Sequence, residues 1–318
     1  MHIPDGFVDG KTALAAAALS TVGLGAALRR VRRELPARRV PLLGLSAAFL
    51  FAAQMVNFPV AGGTSGHLMG GVLVAALLGP SAAMVVMATV LIVQCLLFAD
   101  GGVSALGSNL FDMGLLGTTG GYLVYRAMAK RLQGLPGRVA AVAFAGWCSV
   151  VMASVGCAGQ LAWSHTVAFS VGFPVMATVH MLIGLGEGVI TALVFVAVCR
   201  ARPDLAGTAE ADAETQPRNG AWGYGLLAAL GVALFVAPFA SPWPDGLERV
   251  ASKLGFAEKA TKPILPGAVA DYHLPGIHSA TLATALAGAL GTIVVFALAL
   301  LLGRVLVRDK HTARNSSC

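Results

Sequence analysis

Apolar residues run through this chain in long blocks rather than alternating with polar ones. A helix that crosses a bilayer needs about 20 such residues in succession. Blocks of this kind lie at 12–30, 40–57, 67–79, 80–99, 105–127, 138–163, 173–199, 221–240 and 278–303. The pattern predicts an all-α integral membrane protein of about nine transmembrane helices, a seven-helix bundle followed by a two-helix module. The 67–79 block is short and Pro80 follows it. It predicts a half-helix, which membrane depth tolerates only where protein or a cavity covers its ends. The blocks are rich in Ala and Gly, with small-xxx-small pairs such as Ala48 and Ala52, as close helix packing in lipid favours.

Two stretches break the pattern. Residues 201–220 are polar and acidic and read as a cytoplasmic linker. Residues 241–277 form a long extracytoplasmic loop, of the kind that is either functional or disordered. The expected division is therefore a membrane domain over 1–200, the linker over 201–220, and an accessory domain over 221–318.

Composition supports the bilayer. Of 318 residues, 57% are apolar and 12% charged, and the mean hydropathy is +0.77. Soluble domains carry roughly 25% charged residues. A net charge of +7 would suggest nucleic acid in a soluble protein, but basic residues gather on the cytoplasmic side of membrane helices. With the N-terminus outside, the inside segments hold Arg29 to Arg39, Arg126 to Arg138, Arg200 to Arg218 and Arg304 to Arg314. Only Lys11, Arg249, Lys253, Lys259 and Lys262 stay outside. The asymmetry accounts for the charge without nucleic acid and predicts a cytoplasmic C-terminus. The cysteines, Cys95, Cys148, Cys157, Cys199 and Cys318, show no C-x-x-C spacing and read as small buried thiols.

The candidate chemistry begins at the amino end, MHIPDGFVDG. It has no basic n-region and no small-residue cleavage site, so a removable signal peptide is not expected. Initiator methionine is normally trimmed only before a small residue, and His2 is not small. A free amine on Met1 is therefore expected. That amine, the deprotonated amide of His2 and the His2 Nδ1 place three nitrogens naturally in one plane. Planar nitrogen coordination suits Ni(II) or Cu(II) rather than Zn(II) or Mg(II). His67, in QMVNFPVAGGTSGHLMGG, is the best candidate for a fourth donor from the same face. Its glycines allow a close backbone approach. Asn57, Thr64 and Ser65 are candidates to orient His67 or to hold the inserted N-terminal strand. Each histidine alone is more often a hydrogen-bonded surface residue; the pair on one face raises the metal reading.

MHIPDGF, QMVNFPVAGGTSGHLMGG, QCLLFADGGVSALGSN and HMLIGLGEGVIT resemble signature stretches of the NikM/CbiM proteins. These are the substrate-binding (S) components of energy-coupling factor transporters for nickel and cobalt. The resemblance covers about residues 1–200. PWPDGLERVASKLGF, at 242–256, resembles the PDGLE segment of the two-span NikN-type component, so the chain looks like a NikM–NikN fusion. The resemblance implies metal ligands at Met1, His2 and His67, a transmembrane coupling (T) subunit and two cytoplasmic ATPases as partners, and a bacterial plasma-membrane location. Ala99 stands where the family often has Gly, and Asp112 where Asn is commoner.

Other polar residues lie in or beside the spans. His180 and Glu187 share one face of the seventh, where ionisable groups are functional by default; they are candidates to support the metal ligands. Asp100 reads as a solvated helix end that could attract cations. Asp271, His273 and His278 crowd the second outside loop, and His165 has a weak claim. No G-x-x-x-x-G-K-[ST] or H-E-x-x-H occurs. A non-catalytic subunit carrying Ni(II), or alternatively Co(II), with no nucleotide site of its own, is the favoured reading. A stand-alone secondary carrier or channel for divalent metal is the alternative, and a membrane metalloenzyme stands behind both.

Overall fold

The computed structural model describes residues 2–202, 205 and 221–315. Met1 and nearly all of the 201–220 linker fall outside the described residues. Helix α1 spans Gly10–Glu34, α2 Val40–Gln54, α3 Gly71–Leu78 and α4 Pro80–Phe98. A long helical run, α5, begins at Leu106–Asn109, widens into a π-helical stretch at Leu110–Gly120 and returns to α geometry at Gly121–Ala129. Then come α6 at Gly134–Trp163, α7 at Phe169–Ala201, α8 at Ala221–Phe235, α9 at Gly246–Leu254 and α10 at Ala280–Asn315. Between α2 and α3 a small antiparallel hairpin pairs Phe58–Val60 with Thr64–Gly66.

Five described helices are long and apolar enough to cross a membrane: α1, α4, α6, α7 and α10. Helix covers part of every apolar block read from the sequence. At 15 residues, α2 reaches only about 22 Å, and α3, with 8 residues, about 12 Å. The half-helix expectation matches α3, whose residues Gly71 to Ala75 are buried in protein. Helices α6 and α7 pack along their lengths, while α8 and α10 lie against α2. The apolar core is built mainly by α2, α4 and α10, with Leu50, Phe51, Val86 and Val295 fully enclosed.

The loop over 241–277 is largely irregular, but it contains α9. Asp245 and Glu248 form a reciprocal capping box at its start. Its apolar face, Leu247, Val250 and Ala251, packs with Ile3 and Phe7.

Residues 2–9 run irregularly into the bundle. Ile3 is fully buried, so both its peptide groups need partners there. Asn109 supplies them: its Oδ1 accepts from Ile3 N–H at 2.7 Å and its Nδ2 donates to Ile3 C=O at 3.1 Å. Gly102 N–H also donates to Ile3 C=O at 2.9 Å. Asp5 accepts from Ser104 N–H (2.8 Å) and Oγ–H (2.6 Å) and from Ile264 N–H (3.1 Å). Burial alone would raise the Asp5 carboxyl; these hydrogen bonds outweigh it and hold the group below its ordinary range. Thr166 Oγ–H donates to Phe7 C=O at 2.6 Å, and Asp9 caps α1 through Thr12 N–H. The close approach depends on Gly101 and Gly102. A Cβ on Gly102 would overlap the Asp5 backbone, and one on Gly101, at φ +89°, would meet Asn109 Nδ2 at 2.9 Å.

Ala99 ends α4 with φ 53° and ψ 25°, in the left-handed region. A side chain there costs roughly 1–2 kcal/mol, partly offset by the greater chain entropy a glycine loses on folding. Ala99→Gly should raise the thermal midpoint in detergent by roughly 1–3 °C; a lower midpoint would show that the turn is unstrained. Asn109→Ala strands a buried N–H at Ile3, a cost of about 1–3 kcal/mol. Amide exchange at Ile3 should then speed up about tenfold or more, and unchanged exchange would mean that the clamp is dispensable.

Candidate metal centre

The clamp on Ile3 fixes where its neighbour His2 sits. The His2 ring lies against the ring of His67, centroids 5.4 Å apart and planes tilted by 34°. An imidazole nitrogen stands roughly 2 Å from a first-row transition ion it binds, so two rings on one ion have centroids several ångströms apart, and this separation admits a shared ion. His2 Nδ1 is buried and makes no hydrogen bond among the described residues. The nearest carboxylate oxygen, Asp100 Oδ1, is 3.8 Å away, too far for one. His67 Nδ1 lies 3.2 Å from its neighbour's carbonyl, Leu68 C=O. That contact places the ring proton on Nδ1 and makes Nε2 the lone-pair nitrogen. Burial holds His2 below the ordinary imidazole range and His67 well below it. That direction favours the neutral ring, the state in which imidazole binds metal.

Both histidines line a cavity of about 730 Å³. Four carboxylates, Asp100, Asp245, Glu248 and Asp271, face the same space. A cleft lined by one sign of charge concentrates cations. Asp100 is not simply a solvated helix end: it accepts from Tyr272 Oη–H at 2.6 Å. Asp271 lines the cavity, but His273 and His278 do not. His165 lies apart; its carbonyl accepts from Lys259 Nζ at 3.2 Å.

The loop behind His67 is held by residues from three helices. Glu187, on α7, accepts from Met69 N–H at 2.6 Å and Gly70 N–H at 2.8 Å. These donors open the N-terminus of α3, a favourable place for an anion. Gln54 donates to Met69 C=O at 3.1 Å and accepts from Gln94 Nε2 at 2.9 Å. His180 donates from Nδ1 to Met176 C=O at 2.8 Å. It lines a second, smaller cavity of about 30 Å³ together with His67, Met69 and Asp245. Asp112, in the π-helical stretch, accepts from Gln160 Nε2 at 2.7 Å.

Among the described residues, the hydrogen bonds that Thr64 and Ser65 make outside their own hairpin run to the 243–244 segment rather than to residues 2–9. Ser65 Oγ–H donates to Trp243 C=O at 2.7 Å and Ser65 N–H to Pro244 C=O at 2.8 Å, while Thr64 Oγ–H reaches Pro244 C=O at 3.1 Å. Asn57 likewise meets this loop, its backbone carbonyl accepting from Ser241 N–H at 2.8 Å. The residues that do hold the strand, Asp5, Ser104 and Asn109, all lie in stretches singled out for other reasons. Their signal was a polar side chain inside or beside an apolar block. Among the described residues, no three His, Cys, Asp or Glu side chains converge on one point. Met1 itself lies outside the described residues.

Comparison with known proteins agrees with this architecture. Residues 2–205 match the family model of the cobalt uptake substrate-specific transmembrane region, CbiM. Residues 219–308 match the PDGLE domain. A relative from Archaeoglobus fulgidus, provisionally named a fused nickel transport protein NikMN, is 38% identical over 98% of this chain and 100% of its own length. The fused nickel transport protein NikMN of Rhodobacter capsulatus is 31% identical over 82% of this chain and 80% of its own. A crystal structure of a truncated transition metal transporter superposes with a TM-score of 0.58 at 31% identity, covering 63% of this chain and 99% of that one. The chain belongs to the CbiM family of multi-pass membrane proteins for nickel and cobalt transport, with a PDGLE domain on its carboxyl-terminal side.

Proposed function

We propose that this chain is the substrate-specificity subunit of an ATP-driven energy-coupling factor importer and that its cargo is Ni(II), with Co(II) as the alternative. The ion is held by the amine of Met1, by the deprotonated amide and Nδ1 of His2, and by Nε2 of His67. One observation carries this reading: the half-buried rings of His2 and His67 meet at 5.4 Å on the wall of an acid-lined cavity. A planar four-nitrogen set favours low-spin Ni(II) and leaves little room for substrate chemistry, so the subunit is not an enzyme. Glu187 and Gln54 position the His67 loop rather than bind the ion, and His180 lines the small cavity beside His67.

The sequence has no phosphate-binding loop, so energy comes from outside the chain: two cytoplasmic ATPases acting through a transmembrane coupling subunit, as the S-component resemblance implies. The domain over 1–200 binds metal, residues 201–220 are a cytoplasmic linker, and 221–318 form the accessory module. About nine spans, the N-terminus outside and the C-terminus inside complete the reading, supported by the distribution of basic residues.

Three variants of the purified protein test the ligand set by nickel titration. Inserting one residue between Met1 and His2 breaks the chelate rings while leaving composition almost unchanged. That insertion, His2→Ala and His67→Ala should each weaken nickel binding by about 100-fold or more, beyond the usual effect of residues that merely support ligands. Binding that survives all three changes would place the site elsewhere. Titration in weak buffer should also release protons, because amide and amine must both lose one. Orientation is read separately: in intact cells a membrane-impermeant thiol reagent should label Lys262→Cys and spare Arg131→Cys, and the opposite pattern would invert the topology.

A further inference from the structure

The PDGLE loop does more than sit near the metal centre. Its segment 241–246 lies on the His67 hairpin through the contacts of Asn57, Thr64 and Ser65. Further along, Thr261 N–H and Ile264 N–H both reach Asp5, at 2.9 and 3.1 Å. One loop thus grips the two segments that carry His67 and His2. At its inner edge Gly246 packs on His180, where a Cβ would lie 2.7 Å from Nε2. Glycine at this position lets the chain lie against the imidazole. Beside it, Asp245 lines both the large cavity and the small one, as His67 does; of the four carboxylates around the large cavity, it alone also faces the small one.

The proposed nitrogen set leaves a charge to be neutralised. A divalent ion bound by one deprotonated amide and three neutral nitrogens keeps one positive charge. In buried surroundings an uncompensated charge is costly. Asp100 is engaged by Tyr272 and Glu248 and Asp245 cap α9 reciprocally, so position rather than vacancy distinguishes the four carboxylates: Asp245 is the one that shares both cavities with His67.

We propose that Asp245 of the PDGLE loop supplies the carboxylate that neutralises the bound cation, so that the accessory module completes the metal centre of the bundle. This rests on the ligand set proposed above. Asp245 is a positioning residue in this role: its charge raises retention of the ion without replacing a nitrogen donor.

The residue also caps α9, accepting from Glu248 N–H at 2.9 Å, so the test must separate charge from capping. Asn and Ser keep an N-cap and remove the charge. In the full chain, nickel affinity by chelator competition and the absorption band of planar nickel are measured for wild type, Asp245→Asn, Asp245→Ser, Asp245→Glu and His2→Ala. Asp245→Asn and Asp245→Ser should lose about 10- to 100-fold in affinity while the band stays in place, and Asp245→Glu should recover part of the loss. Affinity within twofold of wild type for both neutral variants overturns the role of Asp245 while leaving the nitrogen set standing. A wild-type protein without the planar band, or with a band that His2→Ala does not remove, overturns the nitrogen set and the charge balance with it.

Discussion

Ile3, Asp5, Phe7 and Val8 are buried without a helix or sheet to satisfy their peptide groups, and the rest of the centre depends on how those groups are answered. Inside a membrane protein an unpaired backbone group costs several kcal/mol, so irregular chain survives only where side chains or neighbouring backbone take its place. Asn109 does this for both groups of Ile3. Asp5 does it for two other segments at once, the 102–104 turn and the PDGLE loop. The position of His2 follows, since it is tied to Ile3 by one rigid peptide plane. The glycines at 101 and 102 are the other half of the same constraint, because any side chain there would push the segment away from its partners.

The helical fold was largely legible in the sequence because its driving pattern is local. Long apolar blocks imply helices whatever surrounds them, and even the shortness of α3 showed through Pro80. The site was legible in part. His2 and His67 stood out because both belong to one predicted face and the amino end offers further nitrogen donors. What could not be read is what depends on long-range pairing. Thr64 and Ser65 have the right chemistry for holding a strand, yet their partner lies about 180 residues away in the PDGLE loop. The hairpin at 58–66 is three residues a side, too short for alternation to register. The helix α9 is different. Its capping box, Asp245 and Glu248, was readable as a helix start, but the surrounding prolines and polar residues suggested loop throughout.

Ionisable groups within the spans illustrate why residue type alone misleads. Glu187 looks like a functional charge, and its carboxylate spends both oxygens on two backbone donors that α3 cannot pair itself. His180 spends one nitrogen on the carbonyl four residues earlier in its own helix. Asp112 finds Gln160 on the neighbouring helix α6, a partner invisible to a reading along the chain. In each case the first demand on the polar group is local satisfaction. Among the described residues, His2 and His67 are the two imidazoles whose rings meet, and this pairing separates them from the others more sharply than polarity does.

The cover over the site follows from the same economy of hydrogen bonds. The PDGLE loop attaches to the hairpin and to Asp5 by a handful of bonds, each worth about 0.5–1.5 kcal/mol net. Its amphipathic helix adds apolar contacts from Leu247, Val250 and Ala251 to Ile3 and Phe7. Together these hold the loop against the two segments that carry His67 and His2. They also link the two histidine-bearing segments through one element, beside the bonds that Asn109, Ser104, Glu187 and Gln54 make to each. On the proposed reading, a module that touches both ligand segments and balances the charge of the ion would also be where outside work is best applied: displacing one loop removes the counter-charge and one set of bonds from each ligand segment, which lowers the affinity before the nitrogen bonds themselves must break.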